Sequence, residues 1–378
     1  MDLSHYRSEI DTIDKELIKL FERRIEISKN IAKYKSENNM QIFDESREKE
    51  VIEKNLKRLS KKEYEKVTKL FIRTLMDLSK SLQEEIVSKE EMVVHKGNYK
   101  IEKNIKIGYQ GVKGSFSEEA MIEYFGENQK SINYEKFEDV FIALQNDEID
   151  YGILPFENSC TGAITSVYDL LSKYGFYIVG EESIKINQNL IGVKGAKIED
   201  IKEVYSHPQG FEQSREFLKE HDDFKLIYFY NTAISAKHIS SLNDKSKAAI
   251  SSCRAAKIYD LDILEKNIND NENNHTKFVI ISKHLETSKD CNKVTVIFSL
   301  DNKAGTLYNL LSHFAKNNIN MIKIESRPSN SKLYEYVLYV DFEGNIEDDN
   351  VRGAISLIQD KSQFFKLLGC YKKKEGYK

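Results

Sequence analysis

Apolar residues recur every three or four positions over residues 3–35, at Tyr6, Ile10, Ile13, Leu17, Leu20, Phe21, Ile27, Ile31 and Tyr34, with no glycine or proline among them. That spacing predicts one continuous amphipathic helix. At about 1.5 Å per residue it runs roughly 50 Å, too long for shorter helices of the same chain to cover, so its apolar face predicts dimerisation. A second helix is expected from near Glu45 and a third over about residues 62–85, where Val67, Leu70, Phe71, Leu75, Leu78 and Leu82 share a side. Residues 89–104 lack a firm period and read as a linker. From residue 105 to 284 the pattern becomes short apolar strands ("IKIGY", "YGILP", "FYIVGE", "EVYS", "KLIYFY", "FVIIS") alternating with helical stretches. This predicts a mostly parallel α/β architecture, with Ser115 and Glu118 in capping-box spacing at one helix start. Residues 285–378 open with the strand "NKVTVIFSL" and follow the order β-α-β-β-α-β to "FFKLLGCY", a ferredoxin-like pattern. The chain is therefore expected to be multidomain: helical over 1–88, α/β over 105–284 and ferredoxin-like over 285–378.

Composition narrows the function. The 378 residues carry a net charge of -4 with a pI near 6.2, which gives no electrostatic basis for binding nucleic acid. No apolar run approaches the length of a membrane span and the N-terminus has no signal-peptide core, so no membrane partner and a cytoplasmic location are expected. Cys160, Cys253, Cys291 and Cys370 are scattered without metal-ligand spacing and read as reduced thiols; no metal and no organic cofactor is expected.

In the helical segment Lys35 stands eleven residues beyond Arg24, about three turns, so the two can converge on one ligand. Ser79 and Gln83 are four apart and share a face. Such residues can simply snorkel over an amphipathic surface, or they can form a pocket for a dicarboxylate gripped by guanidinium forks. The stretch "YRSEIDTIDKELIKLFERRIEISKNIAKYK", followed by "DESREKE" and "SKSLQ", resembles the all-α, intertwined dimeric chorismate mutase domain over about the first 88 residues. The resemblance implies a cage of Arg7, Arg24, Lys35, Asp44, Arg47, Glu48, Ser79 and Gln83, with Arg7 reaching into the partner's site. It implies rearrangement of chorismate to prephenate, with Lys35 and Gln83 donating to the ether oxygen, the arginines holding carboxylates and Glu48 accepting from the ring hydroxyl.

In the α/β segment "YGILP" delivers "FENSCTGAI" to a strand end, where ligand sites form, ahead of a helix whose free N–H groups can meet an anion. Glu157, Asn158, Ser159 and Thr161 could instead only cap that helix. Glycines 108, 111 and 114 make G-x-x-G-x-x-G, not the dinucleotide fingerprint, which argues against a nicotinamide dehydrogenase fused to the helical segment. Five stretches in order, "GYQGVKGSFSEEA", "ILPFENSCTGAI", "VYSHPQGFEQS", "AAISSCRAA" and "NHTKFVIIS", resemble the prephenate dehydratase family. That implies two α/β lobes of periplasmic-binding-protein-like form joined by crossing strands, the second over about residues 190–264, with prephenate in the cleft between them. It also implies Thr276 as donor to the departing hydroxyl, with Asn158, Ser206 and Gln213 orienting the substrate and Glu157, Ser159, Thr161, His207 and Lys277 contributing to binding. Lys277 stands where the family has arginine, keeping the charge but losing the fork. A non-catalytic anion-binding module attached to a mutase is the reading from another class.

In the last segment Gly305 can open a tight turn before a helix, and Glu325, Arg327 and Pro328 can merely finish a strand. The pattern also resembles the amino-acid-binding ACT domain, with Gly305, Thr306 and Leu307 after Ala304 matching its Gly-Ala-Leu motif and Glu325, Ser326, Arg327 and Pro328 its Glu-Ser-Arg-Pro motif. This implies L-phenylalanine as an inhibitor acting on a homodimer or higher homo-oligomer.

Overall fold

The computed structural model describes residues 2–37, 45–87, 105–328 and 336–374. It divides into two compact units. The first joins residues 1–93 with 300–319 and 347–364, and the second holds the remainder.

The first unit is helical. Helices α1 (Leu3–Glu37), α2 (Glu45–Lys57) and α3 (Glu65–Val87) realise the predicted three-four periods. Both α1 and α2 pack on α3. Along α1 the seam from Tyr6 through Ile10, Ile13, Leu17 and Leu20 to Ile27, Ile31 and Tyr34 stays exposed, and Arg24 occupies the charged position within it. Two helices of the C-terminal segment, named below, belong to this unit, and the second of them packs on α3.

The second unit starts with a mixed sheet. Its first lobe comprises β1 (Lys106–Gln110), α4 (Phe116–Phe125), β2 (Lys130–Tyr134), α5 (Phe137–Gln145), β3 (Tyr151–Asn158), β4 (Gly162–Ala163), α6 (Thr165–Tyr174) and β5 (Tyr177–Lys185). The chain crosses into a second lobe of β6 (Asn189–Gly192), β7 (Glu203–Ser206), α7 (Pro208–Glu212), α8 (Arg215–Lys219), β8 (Lys225–Tyr228), α9 (Thr232–Leu242), β9 (Lys247–Ser251), α10 (Cys253–Ile258) and β10 (Asp262–Glu265). It then returns through β11 (His275–Ser282) to the centre of the first sheet, whose order is β2-β1-β3-β11-β5, while the second is β10-β6-β9-β7-β8. The two lobes and the return strand follow the expected plan. The mostly parallel expectation does not hold: β11 runs antiparallel to both β3 and β5, and β6 antiparallel to β9 and β10, because a chain that crosses to another lobe and comes back re-enters from the opposite end.

The capping box at α4 forms by half. Ser115 Oγ accepts from Glu118 N at 3.3 Å, but the Glu118 carboxylate reaches past its expected partner to Gly114 N at 2.7 Å. Gly114 has a φ of +87°, and a Cβ there would come within 3.0 Å of Ala255 Cα on the other lobe, so glycine is required twice over. Across the same seam Arg254 Nε donates to Glu118 at 3.2 Å and Ser252 Oγ to Gly114 O at 3.1 Å.

The C-terminal segment runs β12 (Lys293–Ser299), α11 (Thr306–Lys316), β13 (Met321–Pro328), β14 (Tyr336–Glu343), α12 (Asp349–Lys361) and β15 (Phe364–Tyr371). Its strand order β13-β14-β12-β15 is the ferredoxin-like one that the sequence pattern predicts. The sheet belongs to the second unit and α11 and α12 to the first. One hydrophobic cluster unites Leu154, Phe156, Tyr168 and Ile178 of the first lobe with Ile297, Tyr339, Leu368 and Tyr371 of this sheet. Gly369 permits that approach, since a Cβ there would lie 2.1 Å from Ile178 O. Inside the joint, fully buried Lys293 pairs with Glu181 of β5 at 2.8 Å and Asp341 of β14 at 2.9 Å.

Candidate active sites

In the helical unit Arg24 meets α3: Nη1 donates to Leu75 O at 2.8 Å and to Ser79 Oγ. Burial lowers its pKa from the ordinary arginine value, and it remains the cation of this pair. Arg47 pairs with Glu50 at 2.5 Å on the surface of α2, Lys35 is half-buried near the end of α1 and Arg7 is exposed at its start. Asp44 and the side chains of Glu48 and Gln83 lie outside the described residues. Among the described residues of the expected cage, Arg24 and Ser79 are joined by a hydrogen bond.

The α/β site forms where β3 and β11 lie side by side, with Thr276 opposite Asn158 and Lys277 opposite Glu157. Asn158 Nδ2 donates to Thr276 Oγ1 at 3.0 Å, to Asn274 Oδ1 at 2.7 Å and to His275 O at 3.1 Å. Its Oδ1 accepts from Cys160 N at 2.9 Å and Thr161 N at 3.0 Å, which folds the loop after β3 around the amide. Since the Thr276 oxygen accepts from Asn158, its own hydrogen remains to be donated to a ligand. A hydroxyl that accepts while it donates is polarised toward donation.

Capping of α6 is not what these residues do. Ile164 is the N-cap, without a side-chain hydrogen bond, while Ser159 Oγ donates to Asn273 O at 3.0 Å and accepts from His275 N at 2.9 Å. Ser159 thus ties the loop to the entry of β11.

The register of β3 against β11 shifts by one residue at Phe156, since Phe278 faces Pro155 and Lys277 faces Glu157. Such a bulge re-aims the side chains that follow it. Lys277 succeeds Thr276 in an extended strand and therefore points to the other face of the sheet, with Glu157 opposite it at 3.8 Å. Glu157 and Lys277 are thereby separated from Asn158 and Thr276, with which the sequence grouped them.

The remaining expected site residues lie on the second lobe, at the end of β7 and around α7. Thr161 Oγ1 accepts from Gln209 Nε2 at 3.2 Å, a contact between lobes. Ser206 is fully buried and donates to Ile250 O at 3.2 Å, and Gln213 Oε1 accepts from Gln188 Nε2 at 3.0 Å. His207 caps α7, its Nδ1 accepting from Gln209 N at 3.2 Å, and burial lowers its pKa, so the neutral imidazole acts as an acceptor and orienter. Asn274, Gln188 and Gln209 were not read as site residues. Asn274 in "NHTKF" and Gln209 in "VYSHPQGFEQS" stand inside stretches that the sequence singles out, whereas Gln188 leaves no signal.

In the C-terminal segment Gly305 has a φ of +87° and is the N-cap of α11, while Thr306 Oγ1 donates to Lys303 O at 3.0 Å; Ala304 and Leu307 flank them on the exposed surface. Glu325, Ser326, Arg327 and Pro328 form the end of β13. Among the described residues no group of His, Cys, Asp and Glu side chains is arranged to hold a metal, and no helix is long and apolar enough to cross a membrane.

Comparison with known proteins matches residues 6–84 to the chorismate mutase type II family and residues 107–286 to the prephenate dehydratase family. A bifunctional chorismate mutase/prephenate dehydratase of Buchnera aphidicola subsp. Acyrthosiphon pisum is 34% identical over 97% of this chain and 95% of that protein. Among solved structures, prephenate dehydratase in complex with L-Phe from Arthrobacter aurescens is 26% identical, with a TM-score of 0.66 over 71% of this chain and 90% of that one. A structure described as a novel type of quorum quenching acylase is 25% identical, with a TM-score of 0.65 over 71% of this chain and 98% of that one.

Proposed function

This chain belongs to the bifunctional chorismate mutase/prephenate dehydratase family, and on that premise we propose how its residues divide two consecutive reactions of phenylalanine biosynthesis. The helical segment rearranges chorismate to prephenate, and the two-lobed segment converts prephenate to phenylpyruvate, water and CO2. An acylase of the same fold shows that fold does not fix chemistry. That match spans 71% of this chain, however, whereas the Buchnera relative spans 97%.

The mutase step needs the enolpyruvyl arm held over the ring and negative charge stabilised on the ether oxygen as the C–O bond breaks. Arg24, already joined to Ser79, and Arg47 hold carboxylates, Lys35 and Gln83 donate to the ether oxygen, and Glu48 and Asp44 complete the cage. Arg7 reaches into the site of a second copy. The exposed apolar seam of α1 supports that homodimer.

In the dehydratase step the ring carboxylate leaves as CO2, its electron pair enters the ring, and the ring hydroxyl departs with a proton as water. Thr276 donates to the departing hydroxyl, while Asn158 supports Thr276 from behind. Aromatisation supplies the driving force, so a well-placed hydrogen bond suffices where a strong acid is absent. Ser206, Gln213 and His207 orient the substrate from the second lobe. The Asn158–Thr276 pair is the observation that carries this assignment.

The C-terminal segment acts as an ACT regulatory domain that binds L-phenylalanine through residues 304–307 and 325–328 and lowers dehydratase turnover. Its ferredoxin-like strand order and the L-Phe complex of the Arthrobacter aurescens protein support this. The protein works in the cytoplasm without metal or organic cofactor. Incubation with prephenate alone, with phenylpyruvate and CO2 measured with and without L-phenylalanine, tests the reading. Absence of phenylpyruvate would overturn the dehydratase assignment, and an unchanged rate with L-phenylalanine would overturn the regulatory one.

A further inference from the structure

Strand β13 reaches the dehydratase site from the face of the sheet that carries no catalytic pair. Its burial alternates: Lys323, Glu325 and Arg327 are half-buried, while Ile324, Ser326 and Pro328 are exposed. Lys323 Nζ lies 2.8 Å from Glu157 Oε1 and donates to Tyr168 OH at 2.9 Å, with the Tyr168 ring centroid at 5.3 Å and that of Phe156 at 6.0 Å. Two turns of strand further on, Arg327 Nη2 lies 3.1 Å from Asp169 Oδ2. The strand therefore grips the segment 157–169 at both ends, at Glu157 before the loop and at Tyr168 and Asp169 in α6.

Glu157 immediately precedes Asn158 and follows the bulge at Phe156. A one-residue slip of register turns every following side chain to the other face of a sheet. In β3 that slip would carry Asn158 away from Thr276 and into the apolar cluster around Leu154 and Tyr168. Two cations hold Glu157 on the face opposite Asn158, Lys277 of β11 at 3.8 Å and Lys323 at 2.8 Å. Of the two, Lys323 makes the closer contact and is the more buried, with 17% of its side chain exposed against 32% for Lys277, so it is the stronger hold. Lys323 belongs to the regulatory sheet, not to either lobe.

We propose that Lys323 is a positioning residue of the dehydratase: by pairing with Glu157 it locks the bulged register of β3 that presents Asn158 to Thr276. The inference rests on the dehydratase reading above and adds to it a physical tie from the C-terminal sheet to the reacting groups. Removing the cation leaves the Asn158–Thr276 pair chemically intact but free to lose its alignment, so turnover suffers and ground-state binding by the second lobe does not.

The test uses the full-length protein with chorismate and prephenate assayed separately. Lys323→Met is expected to lower dehydratase kcat by about tenfold while KM for prephenate changes little, since small misplacements of catalytic groups act on the transition state. Mutase turnover should stay at the parent value. Lys323→Arg, which keeps the cation, should recover most of the loss. Glu157→Gln should lower kcat at least as much, since it also removes the Lys277 contact, and Glu157→Gln combined with Lys323→Met should fall well short of the product of the two losses, because both remove the Lys323–Glu157 pair. If Lys323→Met does not fold, Lys323→Arg and Glu157→Gln carry the test through the same kcat and KM split. A dehydratase kcat within about twofold of the parent in both Lys323→Met and Glu157→Gln would overturn the proposal, as would additive losses in the double variant. Conversion of prephenate by the parent is the control: its absence sinks the dehydratase reading itself, whereas an active parent with unaffected variants sinks only the role of Lys323.

Discussion

In the helical segment Leu20 is 63% exposed and Ile27 53%, whereas Ile153 and Ile280 at the centre of the first lobe are wholly buried. Both regions are built from regular elements with strong apolar patterns, yet among the described residues the lobes cover theirs while the seam of α1 stays exposed. A sheet flanked by helices and by a second sheet closes a core within one chain, while a helix as long as α1 has no equally long neighbour to lie against. The sites follow the cores. Asn158 and Thr276 meet through a network within one chain, whereas among the described residues of the proposed mutase cage Arg24 meets Ser79. The apolar area that α1 leaves in water is what the proposed homodimer would cover, and the proposed mutase site would be completed by the same event.

Lys293 offers the sharpest way to break the closed region. Lys293→Met leaves Glu181 and Asp341 buried without their cation, which is expected to destabilise the second unit by about 3–5 kcal/mol. Dehydratase activity should then be lost at a lower temperature than in the parent, in a thermal inactivation assay that follows both reactions, while the mutase inactivation temperature moves less. Thr276→Ala tests whether the sites are separable. Dehydratase kcat should fall by about 10²–10³-fold while chorismate is still consumed, so prephenate accumulates in a product time course. Leu17→Glu addresses the open region. A carboxylate within the exposed seam is expected to weaken dimerisation by about 10²-fold, seen by sedimentation, and to lower mutase turnover at dilute protein while dehydratase turnover per chain is retained.

The smallest effect is expected at His313 of α11, whose Nε2 accepts from Lys361 Nζ at 3.2 Å. Burial and the neighbouring Lys361 and Lys316 lower its pKa from 6.5 to about 4. A depressed folded value means the unfolded chain binds the proton first, so the stability contributed is complete above pH 6.5 and is lost as pH falls toward 4. His313→Gln keeps an acceptor for Lys361 without a titrating proton. The decline of its melting temperature between pH 6.5 and 4 should be shallower than the parent's in a fluorescence melt.

Much of this architecture is legible in local pattern. The three helices appear as three-four periods because each must present one stripe to a neighbour. The strands "YGILP" and "FVIIS" show as apolar runs because they lie inside a sheet covered on both faces. Strand β2, "KSINY", escaped because it is an edge strand with four of its five residues exposed and therefore carries no apolar alternation. The parallel expectation failed for a different reason: strand direction depends on where the chain re-enters the sheet, which no window of sequence contains.

What the sequence determined by itself was which residues are chemically equipped, Asn158 and Thr276 on two strands and Arg24 and Ser79 on two helices, since residue type and period are local properties. Which of them face each other depends on how the distant strands pack. One extra residue at Phe156 puts Asn158 beside Thr276 and leaves Glu157 on the opposite face, where Lys277 of β11 and Lys323 of the distant β13 both meet it. A bulge costs the chain little locally and is chosen by the packing and ion pairs on either side of it, and those partners exist only once the distant strands have come together.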